Sequence, residues 1–162
     1  METPTHEIIV ADTPENRQRC IDVRIQVFHH EQQFPLETEI DELSRNEDVA
    51  THFLLRLTPS LEPVGTVRLH KPAGKQYYKL TRLAVLKDYR RYRFGKELVD
   101  SLHAWLKANA LQLGHDGPAV DVACHSQLPV QGFYARFGYT PQGELFEEDG
   151  APHQLMVLRM PL

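Results

Sequence analysis

The sequence predicts one mixed α/β (α+β) domain, and three observations predict it. Two pairs of short apolar runs are each joined by a tight turn, Thr51–Leu57 with Val64–His70 and Tyr139–Phe146 with His153–Met160, as antiparallel hairpins require. Between those pairs a run of strand character, Tyr78–Leu86, passes into a long amphipathic stretch and on to another strand, the pattern of a βα crossover. The chain is 162 residues long and lacks linkers, repeats and low-complexity stretches, so a single domain over residues 1–162 is expected.

The elements follow in order. His6–Ala11 is a short apolar strand. Asp12, Pro14 and Glu15 carry the signals of a helix start, and Ile21, Ile25 and Phe28 recur at helical spacing toward Gln32. The acidic segment FPLETEIDELSRNED, broken by Pro35, reads as a loop with a short helix. The first hairpin turns through Pro59–Pro63. After Tyr78–Leu86 comes the basic stretch KDYRRYRF, then a helix over Gly95–Leu113 with Leu98, Leu102, Trp105 and Leu106 on one stripe, closed by Gly114 and Gly117. Val120–Cys124 is a strand, and Leu128–Phe137 a short helix with Pro129 in its first turn. Asp149-Gly150 turns the last hairpin. The expected order is β-α-α-β-β-β-α-β-α-β-β.

Charge narrows the function. The net charge is −4, which disfavours a general nucleic-acid surface. That sum conceals a contrast: Lys87–Lys96 carries +4, Glu37–Asp48 carries −5 and Glu144–Asp149 carries −4. No apolar run approaches the ~20 residues of a membrane span, and the N-terminal METPTHEIIV lacks the pattern of a secretory signal. Two cysteines, Cys20 and Cys124, fall in different elements and make no disulfide framework, so a reduced, cytoplasmic setting is expected. Nine histidines include no HExxH, no CxxC accompanies them, and His29 and His30 diverge on a helix, so no metal is expected.

A strand that runs through a basic loop into a helix forms an anion site, because the first helical N–H groups lack partners and the helix dipole favours negative charge there. Arg90, Arg91, Arg93 and Lys96 add charge, and Gly95 admits a close ligand. Glu97 follows Gly95-Lys96 where a Walker A loop has Ser or Thr, so the loop is not of that type.

Here the sequence resembles the GNAT superfamily of acyl-CoA-dependent N-acyltransferases, whose pyrophosphate loop reads Q/R-x-x-G-x-G/A between a strand and a helix. The corresponding stretch is Arg90-Arg91-Tyr92-Arg93-Phe94-Gly95. Arg93 replaces the usual first glycine, and Arg meets a steric cost in the left-handed region that Gly does not. RLAVLKDYR (Arg82–Arg90) is similar to the family's fourth strand, and FYARFGY (Phe133–Tyr139) to its "FYxxxGF" signature. Gln127, EEDGAPH (Glu147–His153), FHHEQQFPLETEIDE and Thr51-His52 resemble the ElaA-like branch, so the resemblance spans roughly residues 20 to 160.

The resemblance implies a mixed sheet splayed between its fourth and fifth strands, with helices on both faces and coenzyme A wedged in the splay. It implies acetyl transfer from acetyl-CoA to a primary amine, small-molecule or peptide, by direct attack in a ternary complex. The cofactor would be held by the backbone of Leu83, Ala84 and Val85, by Arg90, Arg91, Tyr92, Arg93, Phe94, Gly95 and Lys96, and by Gln127. Leu83–Val85 would also offer oxyanion donors, and Tyr134 the proton for the leaving thiolate. Glu39, Asp41 and His153 are candidates for the base or for acceptor contacts, directly or through water. Cys124, ending a strand, is not expected to be a nucleophile. The alternative is a non-catalytic acyl-CoA sensor on the same fold, which Arg93 favours.

Overall fold

In the computed structural model, residues 2–34 and 50–162 are described; the acidic loop with its predicted short helix lies outside them. Seven strands form one mixed sheet: β1 (His6–Val10), β2 (Thr51–Leu57), β3 (Pro63–His70), β4 (Tyr78–Val85), β5 (Ala119–Gln127), β6 (Thr140–Glu148) and β7 (Ala151–Pro161). Their order is β1-β2-β3-β4-β5-β7-β6. The helices are α1 (Pro14–Arg24), α2 (Phe94–Asn109) and α3 (Gln131–Ala135).

The described chain gathers into two compact units, Met1–Leu69 with Arg82–Leu106 and His70–Thr81 with Lys107–Leu162. In the first, β1 pairs antiparallel with β2 and β2 with β3, in the register Ile8↔Leu55 and Phe53↔Val67. Successive strand residues point to opposite faces, and β2 uses both. Leu54 packs with Cys20 and Ala11 on the α1 side, and Phe53 meets Trp105 of α2 edge-on at 5.9 Å. Helices therefore cover both faces of this part of the sheet. Leu98, Leu102 and Leu106 of α2 are completely buried, each gaining ~1.5–3 kcal/mol from leaving water. Gly65 admits this packing, because a Cβ there would stand 3.0 Å from Leu98 Cδ1.

The first helix departs from expectation twice. Thr13, not Asp12, caps it, its hydroxyl accepting from the Asn16 N–H at 3.1 Å, with Pro14 in the first turn. From Ile25 to Glu31 the helix widens to π geometry, and the Gln32 N–H reaches back five residues to the Val27 carbonyl. Val23 and Val27, one turn apart, pack against Ala84 of β4, while Ile25 is only half-buried. The helix predicted over Gly95–Leu113 starts at Phe94 and stops at Asn109, and the one predicted over Leu128–Phe137 divides into a 3₁₀ turn, Leu128–Val130, and α3.

In the second unit, β4 and β5 run parallel in the register Tyr78↔Val122 and Lys79↔Ala123. β5 pairs antiparallel with β7 from Ala119↔Pro161 to Gln127↔His153, and β7 pairs with β6. β5 is longer than the five residues predicted, because its His125–Gln127 end is held by β7 although it is polar. Tyr134 of α3 packs edge-on against Phe133 and Tyr139, with ring centroids 5.2 and 5.7 Å apart.

Candidate active site

The basic loop belongs to the first unit. Lys87–Tyr92 winds as a 3₁₀ turn and ends on Arg93 in the left-handed region, φ 62° and ψ 29°, from which the chain enters α2 at Phe94. Arg93 thus adopts the conformation that a glycine would take there, and the fold bears the strain of an L side chain at that point, ~1–2 kcal/mol. Buried rings hold the turn: Phe94 is fully buried, with Tyr89 stacked on it at 12° and 6.5 Å, Tyr92 at 5.6 Å and the His6 imidazole at 4.5 Å.

The charges of the loop serve different ends. Arg90 donates from Nε to the Val85 carbonyl at 2.9 Å and pairs through its guanidinium with Glu31, at the end of the π turn. It braces the end of β4 against the first helix. Arg91 lies over the Tyr92 ring at 5.0 Å, and Arg91 and Arg93 are exposed. Lys96 pairs with Asp100 one turn on, at 2.7 Å. Glu97, which would repel an anion at the helix start, is bonded by His6 Nε2 at 2.9 Å. Burial works against charging His6, but the Glu97 bond, the bond to the Pro4 carbonyl and the charge of Glu97 together outweigh it and raise its pKa.

Two cavities flank the loop. One of about 370 Å³ is lined by Thr3, Arg91, Tyr92 and Arg93, which suits a phosphate-bearing group. The other, about 700 Å³, lies between the π turn and the start of the loop; Asp22, Glu31, Glu62 and Asp88 are among its walls, which suits an anion poorly.

Leu83, Ala84 and Val85 follow a break in β4. Arg82 has φ 55°, a left-handed residue inside a strand, and the inside–outside alternation of β4 is lost across Thr81–Leu83. Such a bulge redirects the amides that follow it. The sequence carries no mark of it.

The second unit holds Tyr134, Gln127 and His153. Tyr134 is buried, and burial pushes its phenol far above the ordinary tyrosine range. Cys124, on β5, is pushed up to about 12 by burial. Gln127 ends β5, opposite His153. His153 is buried, and its Nδ1 donates to the Ala151 carbonyl at 2.8 Å. Glu39 and Asp41 lie outside the described residues.

The structure adds a cluster that composition does not reveal. His125 Nδ1 donates to Glu148 Oε1 at 2.9 Å, and His153 Nε2 stands 3.8 Å from Glu148 Oε2. Phe146 lies by both imidazoles, edge-on to His125 at 4.9 Å and stacked near His153 at 6.1 Å. The His125 bond is the chief cause that lowers the Glu148 pKa, against the effect of burial. The register of β5, β7 and β6 brings His125 to Phe146, Glu148 and His153, which lie 21, 23 and 28 positions further along the chain; His125 and Glu148 fall outside the strands read from the sequence. Among the described residues no three His, Cys, Asp or Glu side chains form a metal-binding group, and no helix is long and apolar enough to cross a membrane.

Comparison with known proteins agrees with this architecture. The family model described as an acetyltransferase (GNAT) domain matches residues 16–160. The uncharacterized N-acetyltransferase YjcF of Bacillus subtilis is 33% identical over 150 residues, 92% of this chain and 96% of that one. The crystal structure of Escherichia coli ElaA has a TM-score of 0.72 at 24% identity, covering 95% of this chain and 98% of that one. An acyl-CoA N-acyltransferase from Pseudomonas aeruginosa gives the same TM-score and identity over 94% and 97% of the two chains. The family match over residues 16–160 and the 33% identity to YjcF over 92% of this chain show the family: the chain belongs to the GNAT acetyltransferases.

Proposed function

We propose that this GNAT acetyltransferase is one domain over residues 1–162 that moves an acetyl group from acetyl-CoA to a primary amine by direct attack in a ternary complex. The observation that carries the reading is the passage from β4 through the 3₁₀ turn and left-handed Arg93 into α2, with exposed Arg91 and Arg93 lining one cavity. The amides opening α2 and the side chains of Arg91, Arg93 and Lys96 receive the pyrophosphate, and Tyr92, Phe94 and Gly95 shape the loop that presents them. Arg90 acts on the cofactor through the Val85 carbonyl that it anchors. Gln127 contributes a polar contact at the end of β5.

Acetyl transfer forms a C–N bond and breaks the C–S bond of the thioester. The amides of Leu83–Val85, redirected by the bulge, face the negative charge that develops on the carbonyl oxygen. The departing thiolate takes a proton from Tyr134, whose phenol is protonated throughout the neutral range. Direct attack is favoured over an acyl-enzyme because the one cysteine near Tyr134, Cys124, holds its proton up to about 12. His153 serves on the acceptor side, with Glu39 and Asp41 as further acceptor contacts. The acceptor is a small-molecule or peptide amine, and the setting is cytoplasmic.

The sensor alternative rests on Arg93 standing in for glycine, and Arg93 holds the glycine-like conformation. That conformation supports CoA binding, which both readings share; the acetyl-transfer reading differs in releasing CoA when an amine is added. Tyr134→Phe tests its chemistry: kcat for thiol release should fall about 10²-fold with the KM for acetyl-CoA unchanged, since general acids contribute ~10²–10⁴-fold. Unchanged turnover across pH would remove Tyr134 as the acid.

A further inference from the structure

A primary alkylamine is an ammonium at neutral pH, with a pKa near that of lysine, ~10.4, and an ammonium has no lone pair with which to attack a thioester. The reading above therefore needs a base. A suitable base has a lone pair aimed outward, a partner that fixes its tautomer, and a counter-charge for the cation that it becomes.

The cluster at the ends of β5, β6 and β7 meets these requirements. A carboxylate only accepts, so the 2.9 Å bond from His125 to Glu148 places the proton on Nδ1 and leaves the lone pair on Nε2. Among the described residues nothing hydrogen-bonds Nε2, and the His125 side chain is 25% exposed. His153 is the poorer base, because its side chain is only 7% exposed and its Nε2 faces the same carboxylate. Phe146, edge-on to the His125 ring, restricts its rotation. The groups that bear on the pair are Glu148 from β6, His153 from β7 and Lys79 from β4, whose charge acts on Glu148.

The strand sets this base against the proposed acid. His125 and Cys124 are successive residues of β5 and so project to opposite faces. The Cys124 face is the one turned to α3, where Gln154, on the same face as Cys124, bonds Gln131 at 2.7 Å and where Tyr134 senses Cys124. Tyr134, on α3, and His125, on β5, are thus on opposite sides of the strand.

We propose that His125, oriented by Glu148, is the base that takes the ammonium proton from the acceptor amine. The proposal rests on the acetyl-transfer reading above. His125 Nε2 accepts one proton from R–NH₃⁺ and passes it to solvent; the freed amine adds to the acetyl carbon. The C–S bond then breaks, and the second proton lost from nitrogen balances the one that the thiolate takes up. Amide, free CoA and one released proton result.

The test compares alkylamines, charged at pH 7, with arylamines of matched size, which are uncharged there and need no base. CoA release is followed for the wild type, His125→Gln and Glu148→Gln. His125→Gln should lower kcat/KM on alkylamines by about 10²–10⁴-fold and on arylamines by less than about threefold. Glu148→Gln should lower kcat on alkylamines while leaving the KM for acetyl-CoA and arylamine turnover unchanged. A misfolded variant loses both substrates alike, so the ratio separates chemistry from stability, and melting curves check it independently. Equal loss on both amine types, or no loss on either, with the wild type active, overturns the assignment of His125 and leaves the acetyl-transfer reading standing. No CoA release by the wild type with any amine overturns both.

Discussion

Arg93 carries a conformation that its side chain disfavours, and what remains when the side chain is removed is measurable. Arg93→Gly should raise stability by about 1 kcal/mol or leave it unchanged, because the left-handed region costs glycine nothing. Arg93→Val should lower it by more than that, since β-branched residues are poorly accommodated at positive φ. Thermal melts of the two variants decide the matter, and a Val variant as stable as the Gly variant would contradict a left-handed position 93. Cys124 makes a second prediction at this scale. With its thiol pushed up to about 12, only about one molecule in ten thousand is thiolate at pH 8, so alkylation should be about 10³-fold slower folded than unfolded. Burial raises the folded pKa above that of the unfolded chain, about 9.0, so this thiol contributes stability below that pH, and the contribution declines as pH rises toward 12. Alkylation of native protein at the unfolded rate would show Cys124 exposed.

The elements differ in how far local pattern determines them. α2 shows its apolar stripe in the residues themselves, and three of the four predicted stripe positions, Leu98, Leu102 and Leu106, are fully buried. Leu102→Ala should therefore cost ~2–5 kcal/mol in chemical denaturation, and less than 1 kcal/mol would mean that α2 does not pack as described. The loop from β4 into α2 was equally legible, since strand, basic run and helix are consecutive and a turn between them uses local geometry. The π turn at Ile25–Glu31 and the bulge at Arg82 were not. Neither segment carries a glycine or proline to mark the departure from regular geometry. His125 shows the same limit: sequence spacing placed it after Cys124, but only the three-strand register brings it to Glu148. The end of β5, polar and beyond the predicted strand Val120–Cys124, is a strand because β7 pairs with it.

Across the whole molecule the net charge of −4 divides into a cationic loop and acidic segments. The cationic residues gather where the fold supplies orphan amides, and the first turn's own acid, Glu97, is engaged by His6. Matched sequence runs through both compact units without interruption, from residue 16 to residue 160. The central claim is that this chain binds acetyl-CoA through the loop that opens α2 and uses it. Isothermal titration with acetyl-CoA tests it most directly, run beside Arg91→Ala/Lys96→Ala and beside acetylated pantetheine, which lacks the pyrophosphate. Acetyl-CoA should bind with measurable heat, the double variant should weaken it at least tenfold, and the pantetheine compound should bind weakly and equally to both proteins. No heat with acetyl-CoA at millimolar concentration, or equal affinity of wild type and double variant, would contradict the account.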